Sequence, residues 1–175
     1  MILVGPDHPI QDKISCAKGL LEAHGKDLLC HREIKTLLER YAKAIEETWA
    51  VMRDTGVVDV CTQCAIEDGG SCCGNGIEDK FDVALLLINL LLGEHLPEAP
   101  WDDSGCWFLG PKGCTIKARH TICVNYLCKR LTETLPRENI HKLQAAILTE
   151  TDLGFLLEER IKGYLKRCSI QKISP

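Results

Sequence analysis

Eight of the eleven cysteines fall between Cys61 and Cys128, in two groups of four. The first group is Cys61-x2-Cys64-x7-Cys72-Cys73, and after 32 intervening residues comes Cys106-x7-Cys114-x8-Cys123-x4-Cys128. A C-x2-C step brings two sulfurs within reach of one ion, and four sulfur ligands in a tetrahedral arrangement take zinc or an iron–sulfur cluster. Glycines sit among the ligands at Gly69, Gly70, Gly74, Gly76, Gly105, Gly110 and Gly113, where they allow the tight or left-handed turns that wrap backbone around an ion. One C-x2-C would be a weak signal. Two groups of four in glycine-bearing loops form a strong one.

Neighbouring side chains of an extended chain point to opposite sides, so Cys72 and Cys73 are expected to serve different ions unless a turn intervenes. Cys123 and Cys128, if both helical, lie about 140° apart around the axis. The expectation is interleaving: Cys61, Cys64 and one of Cys72 or Cys73 are completed by a cysteine of the second group. From Ser104 to Thr132 there is no Asp or Glu, whereas Lys112, Lys117, Arg119, Lys129 and Arg130 all lie there. Nearby cations lower thiol pKa and offset the charge of a four-thiolate site. A solvated basic face explains the same residues about as well.

Eleven cysteines in 175 residues are far above ordinary usage, and the count is odd. Disulfide-rich chains are usually short, secreted and even in cysteine. Clustered thiols therefore point to a reducing compartment and to metal or redox chemistry. The N-terminus lacks the basic start and long apolar stretch of an export signal, and no segment approaches the roughly 20 apolar residues that cross a bilayer. A cytoplasmic protein with no membrane role is expected. A net charge of −4 and a sequence pI near 5.9 supply no dense cationic footprint, so no nucleic acid is expected as partner. Another protein is the partner left open.

The elements that must position these cysteines read as mostly α. Ile34, Leu37, Leu38, Tyr41, Ala42, Ile45, Trp49 and Met52 recur at three- and four-residue steps, with charged residues on the other face, which predicts a helix over 31–54. A helix over about 11–29, broken at Gly19 or Gly25, is expected before it. A cysteine-rich loop follows over 61–76. Residues 77–92, with Glu78 and Asp79 in the first turn and Gly93 at the end, read as a helix apolar almost all round. Residues 97–113 read as irregular loop with a small hairpin. Helical spacing resumes over about 116–135, and Pro136 opens a final long helix with a bend near Gly154. The expected organisation is an N-terminal helical arm over 1–56 packing on the core, a cysteine-cluster region over 57–130, and a C-terminal helical region over 131–175. Together they make one folded unit of helices packed around an irregular cysteine-rich metal-binding centre.

Cys61-Thr-Gln-Cys64 through Cys72-Cys73-Gly74, then Gly105-Cys106-Trp107-Phe108-Leu109, Gly113-Cys114-Thr115-Ile116, and Arg119 ahead of Cys123 and Cys128 resemble the YkgJ-type cysteine-cluster family. That family is described as zinc- or iron-chelating, with eight characteristic cysteines. The resemblance covers roughly residues 57–130 and implies metal chelation by Cys61, Cys64, Cys72, Cys73, Cys106, Cys114, Cys123 and Cys128. The family's Arg-Pro pair before the seventh cysteine is Arg119-His120 here. This makes His120 an optional ligand and Arg119 and His120 candidates for contacting the ligated sulfurs. Flagellin lysine N-methylases resemble the same cluster, which keeps an enzymatic reading open.

Three functions compete. An iron–sulfur protein of electron transfer or redox sensing, with a four-iron, four-sulfide cluster, is favoured by all-cysteine ligation. A zinc-held structural or protein-interaction module is the alternative. A cluster-dependent enzyme ranks last, because no residue pattern names a substrate or a catalytic base. Cys16, Cys30 and Cys168 read as small apolar residues of helices, and Trp107 and Phe108 as core residues that would also shield a cluster.

Overall fold

The computed structural model describes residues 4–5, 7–67, 72–111 and 113–171. Gly69, Gly70 and Lys112 lie outside the described residues. The chain is mostly helical: α1 (Ile10–Cys30), α2 (Arg32–Asp54), α3 (Val57–Glu67), a 3-10 turn (Glu78–Lys80), α4 (Val83–Leu91), α5 (Thr121–Asn125), α6 (Lys129–Thr134) and α7 (Arg137–Gln171). Two residue pairs, β1 (Leu109–Gly110) and β2 (Gly113–Cys114), make an antiparallel hairpin. No helix among the described residues is long and apolar enough to cross a membrane.

Helix α4 sits at the centre. Leu86, Leu87 and Ile88 are fully buried, and each contributes about 1.5–3 kcal/mol by leaving water. Its neighbours are chiefly α1, with α7 second. Helix α2 packs along α7 instead, and with α1 it supplies walls of the main core through Ile10, Ile14, Ala17, Leu28, Ile34, Leu38 and Tyr41. The first two helices thus contribute buried residues to the main core. A smaller core joins Met52 of α2, Val57 of α3, Val124, Leu131 and, from α7, Leu143 and Ile147.

Several expected boundaries change, each for a visible reason. Helix α1 runs unbroken through Gly19 and Gly25; the second is buried, and a Cβ there would stand 3.0 Å from the Leu21 side chain. Helix α7 runs through Gly154 without interruption. That glycine serves a close approach instead: a Cβ there would stand 3.1–3.2 Å from the ring atoms of Tyr41. The expected loop from Cys61 begins as helix α3, whose Val57, Val58 and Val60 pack into the smaller core. The helix expected over 77–92 starts only at Val83, where the Asp82 carboxylate caps it by accepting the Leu85 N–H at 2.8 Å. Phe81 stays extended before it and is buried against Phe108, ring centres 4.8 Å apart.

Residues 116–135 form two short helices instead of one. Ile116 and Ala118 are buried while Thr115 and Lys117 are exposed, and Asn89 holds this segment in the core. This residue of α4 has no exposed surface; its amide nitrogen donates to the carbonyls of Leu85 and Ala118, and its oxygen accepts the Ala118 N–H at 2.9 Å. One side chain thus satisfies both backbone groups of Ala118. Asn89→Ala should cost about 2–4 kcal/mol, because it strands that N–H and carbonyl in the core. Chemical denaturation of variant and parent measures this.

Candidate metal centre

The two cysteine segments meet at one backbone junction. The Cys106 N–H donates to the Cys73 carbonyl at 2.9 Å, Gly74 and Gly105 form an antiparallel bridge, and the Asn75 N–H donates to the Ser104 carbonyl at 3.3 Å. The chain then turns at Gly76, whose φ of +92° favours glycine. The Glu78 carboxylate holds this turn by accepting the Gly76 N–H at 3.0 Å. Behind the junction, the Leu109 N–H donates to the Cys106 carbonyl at 2.8 Å and the Thr115 N–H to the Phe108 carbonyl at 2.9 Å. The hairpin thereby carries Cys106 and Cys114 on its two arms.

The remaining cysteines arrive on helices. Cys61 and Cys64 occupy α3 at a three-residue step, which places both on one face; the expectation that they lie in a loop is corrected. Cys123 lies in α5 and Cys128 is the N-cap of α6, so no single helix relates them. Helix α3 packs against α6.

Burial sorts the eight. Cys106 is buried, and Cys73, Cys114 and Cys123 are half-buried against the main core. Cys128 packs instead against the smaller core that α3 lines. Cys61 and Cys72 are exposed, and Cys64 is half-buried. Of the three other cysteines, Cys16 and Cys168 are half-buried and Cys30 is exposed. Cys30, at the last residue of α1, is therefore not the buried apolar residue expected. No disulfide joins the described cysteines.

The thiols also lie in one another's fields. Burial pushes Cys61 up, and the sulfurs of Cys128, Cys64 and Cys73 add to it. A hydrogen bond to Cys73 is the main cause that raises Cys72, followed by burial and by Cys73 and Cys61. Burial raises Cys106 to about 12, with Glu78, Cys114 and Cys123 contributing. Burial raises Cys123 to about 11, with Cys114 and Cys73 adding, and it also raises Cys114. Against this, backbone N–H groups are aimed at sulfurs: Phe108 toward Cys106, Ile116 toward Cys114 and His120 toward Cys123. Such donors favour charged sulfur.

Arg119 is the cation that Cys114 and Cys123 feel. Its guanidinium lies 4.4 Å from the centre of the Trp49 ring, and one nitrogen is 4.0 Å from the Met52 sulfur. Helix α2 thus aims it. His120 caps α5, with Nδ1 accepting the Ile122 N–H at 3.2 Å, and burial lowers its pKa. Trp107 donates its Nε1–H to the Pro97 carbonyl at 3.0 Å. Sequence reasoning missed Asn89, Glu78 and Trp49 as supports of the centre. Of these, the lone polar residue in the apolar run of α4 was the readable signal.

Among the described residues, no three His, Cys, Asp or Glu side chains stand close enough together to hold a metal ion. The donor chemistry nonetheless suits a thiolate-held group: sulfurs from separate segments, amide donors aimed at three of them, and one buttressed arginine. Loading would draw the sulfurs inward and release their protons. No protein-family model, curated protein or solved structure matches this chain, so the family resemblance rests on the cysteines and the residues beside them.

Because Cys61 and Cys72 are exposed and Cys106 is buried, the apo protein under reductant at pH 8 should label at Cys61 and Cys72 well before Cys106. The Cys106 rate should climb as pH rises toward about 12. Peptide mass mapping of an iodoacetamide time course reads both.

Proposed function

We propose that this chain is a metal-binding protein whose eight clustered cysteines hold iron–sulfur chemistry, acting in electron transfer or redox sensing. The observation that supports the reading is the backbone junction of Cys73 with Cys106, which brings the two cysteine-bearing segments together beside the main core. The proposal extends to membership of the YkgJ-type family and to a four-iron, four-sulfide cluster as the group held. The ligands would come from among Cys61, Cys64, Cys72, Cys73, Cys106, Cys114, Cys123 and Cys128, four thiolates to a cluster. Arg119 would offset their charge, and Phe81 and Phe108 would keep water from the inner sulfurs. A bound cluster supplies one-electron chemistry at sulfur-ligated iron. A simple thiol switch is less well supported, since a reactive cysteine needs a lowered pKa and burial pushes the thiols of Cys61, Cys106, Cys114 and Cys123 up.

The second reading is a zinc-held interaction module. One observation favours it: Leu148, Phe155 and Leu156 of α7 are exposed at steps of seven and eight residues, which puts them on one helical face. A surface of that kind suits a protein partner.

Anaerobic purification with metal analysis and a visible spectrum separates the two. Broad brown absorption with iron and acid-labile sulfide is the expected result. A colourless protein with stoichiometric zinc selects the second reading, and a metal-free protein after anaerobic reconstitution removes both. Serine at any of the eight cysteines should lower metal content or stability. Serine at Cys16, Cys30 or Cys168 should leave metal content unchanged.

A further inference from the structure

We infer that Cys72 and Cys73 form a two-thiol site for mono-organic trivalent arsenicals, with one arsenic atom bridging both sulfurs. The inference concerns the metal-free thiols, so it stands apart from the metal-binding reading above.

The local backbone brings the pair together. Neighbouring side chains of extended chain diverge, but the chain bends at Cys72. The Cys72 and Cys73 side chains are hydrogen-bonded to each other, which corrects the divergence expected from the sequence. The pair is also held from behind. The Cys73 carbonyl accepts the Cys106 N–H at 2.9 Å, and Gly74 bridges to Gly105. Cys73 packs against the main core while Cys72 is exposed, so one sulfur stands on apolar surface and the other meets solvent. Such a pair is preorganised, because closing it on one atom orders little that the fold has not ordered already.

Geometry selects the occupant. The Cys72–Cys73 peptide is trans, which sets the two Cα atoms about 3.8 Å apart. That is shorter than the roughly 4.4–6.8 Å a disulfide usually spans. Direct sulfur–sulfur closure is therefore strained and readily reversed by reduction. A metal ion, or arsenite in its tight complexes, needs at least three donors. Cys61 contributes to the field that Cys72 feels, yet among the described residues no three His, Cys, Asp or Glu side chains stand close enough together to hold an ion. A mono-organic arsenical needs only two thiols, since carbon fills the third position on arsenic. The arsenic atom also lets the sulfurs stay apart instead of bonding to each other. The exchange balances without an oxidant. Two As–O bonds of R–As(OH)2 break and two As–S bonds form, each thiol proton leaves with a hydroxide as water, and arsenic stays trivalent.

Phenylarsine oxide is the probe. The full-length chain, reduced with a phosphine and treated with EDTA, should take up a single phenylarsenic group by intact mass. Glutathione should not displace it, whereas the dithiol dimercaptopropanol should. Cys72→Ser and Cys73→Ser should each weaken binding by about 10²-fold or more, because the second thiol no longer acts intramolecularly. Cys61→Ser and Cys64→Ser, which break the C-x2-C pair of α3, should bind as the parent does. Arsenite should bind far more weakly than phenylarsine oxide. Circular dichroism checks that each variant keeps its helices, and Cys72, being exposed, decides the matter even if Cys73→Ser does not fold. Parent-like binding by folded Cys72→Ser, or loss of binding in folded Cys61→Ser or Cys64→Ser, overturns the site. Arsenite binding as tight as that of phenylarsine oxide also overturns it, by revealing a third thiol. A parent that takes up no arsenical overturns it too but leaves the metal-binding reading standing, since that reading is decided on the metal-loaded chain.

Discussion

Helix α4 cannot face water on any side, and the rest of the molecule is arranged around that constraint. Its leucines and isoleucine remove enough apolar surface to hold α1 on one flank and α7 on another. The helix also lies between the two cysteine segments in the chain. Enclosing it forces the segment before it and the segment after it back across the same core. Phe81, just ahead of the helix, meets Phe108 from the later segment. Asn89, within it, grips Ala118. The junction of Cys73 with Cys106 follows from this folding back.

The charged residues secure the same core from outside. Lys162 of α7 binds the Asp82 cap of α4 at 2.8 Å and also pairs with Glu158. Burial raises the Asp82 carboxyl, yet Lys162 and the Leu85 N–H outweigh it and the net direction is down. Stability from this carboxylate is present above the ordinary carboxylate range and fades as pH falls through the lowered value. Lys13 is buried as well, and its ammonium donates to the Asp79 carbonyl at 2.9 Å. This bond ties α1 to the turn that leads from the first cysteine segment into α4.

The cysteine centre is built on short, irregular pieces rather than on long helices. The hairpin, α5 and α6 have few apolar residues of their own, so their positions depend on contacts with α2, α4 and α7. Arg119 illustrates the dependence: its place among the sulfurs is set by Trp49 and Met52 of α2. A bound ion would contribute folding free energy directly to such pieces.

By itself the sequence determined the helical class, the extents of α2 and α7 to within a few residues and the burial of the central apolar run, and it singled out the eight cysteines as candidates. These follow from local periodicity and spacing, which physical chemistry reads without knowing where anything packs. It misread α3 as loop because cysteine and glycine content outweighed a short valine pattern whose burial partners lie at Val124, Leu131, Leu143 and Ile147. It misread residues 116–135 as one helix because the side chain that takes both backbone groups of Ala118 comes from Asn89, 29 residues earlier in the chain. Only the tertiary structure decided which cysteines face which core. That choice depends on backbone bonds between distant segments and on two separate apolar clusters, and no spacing within one segment encodes it.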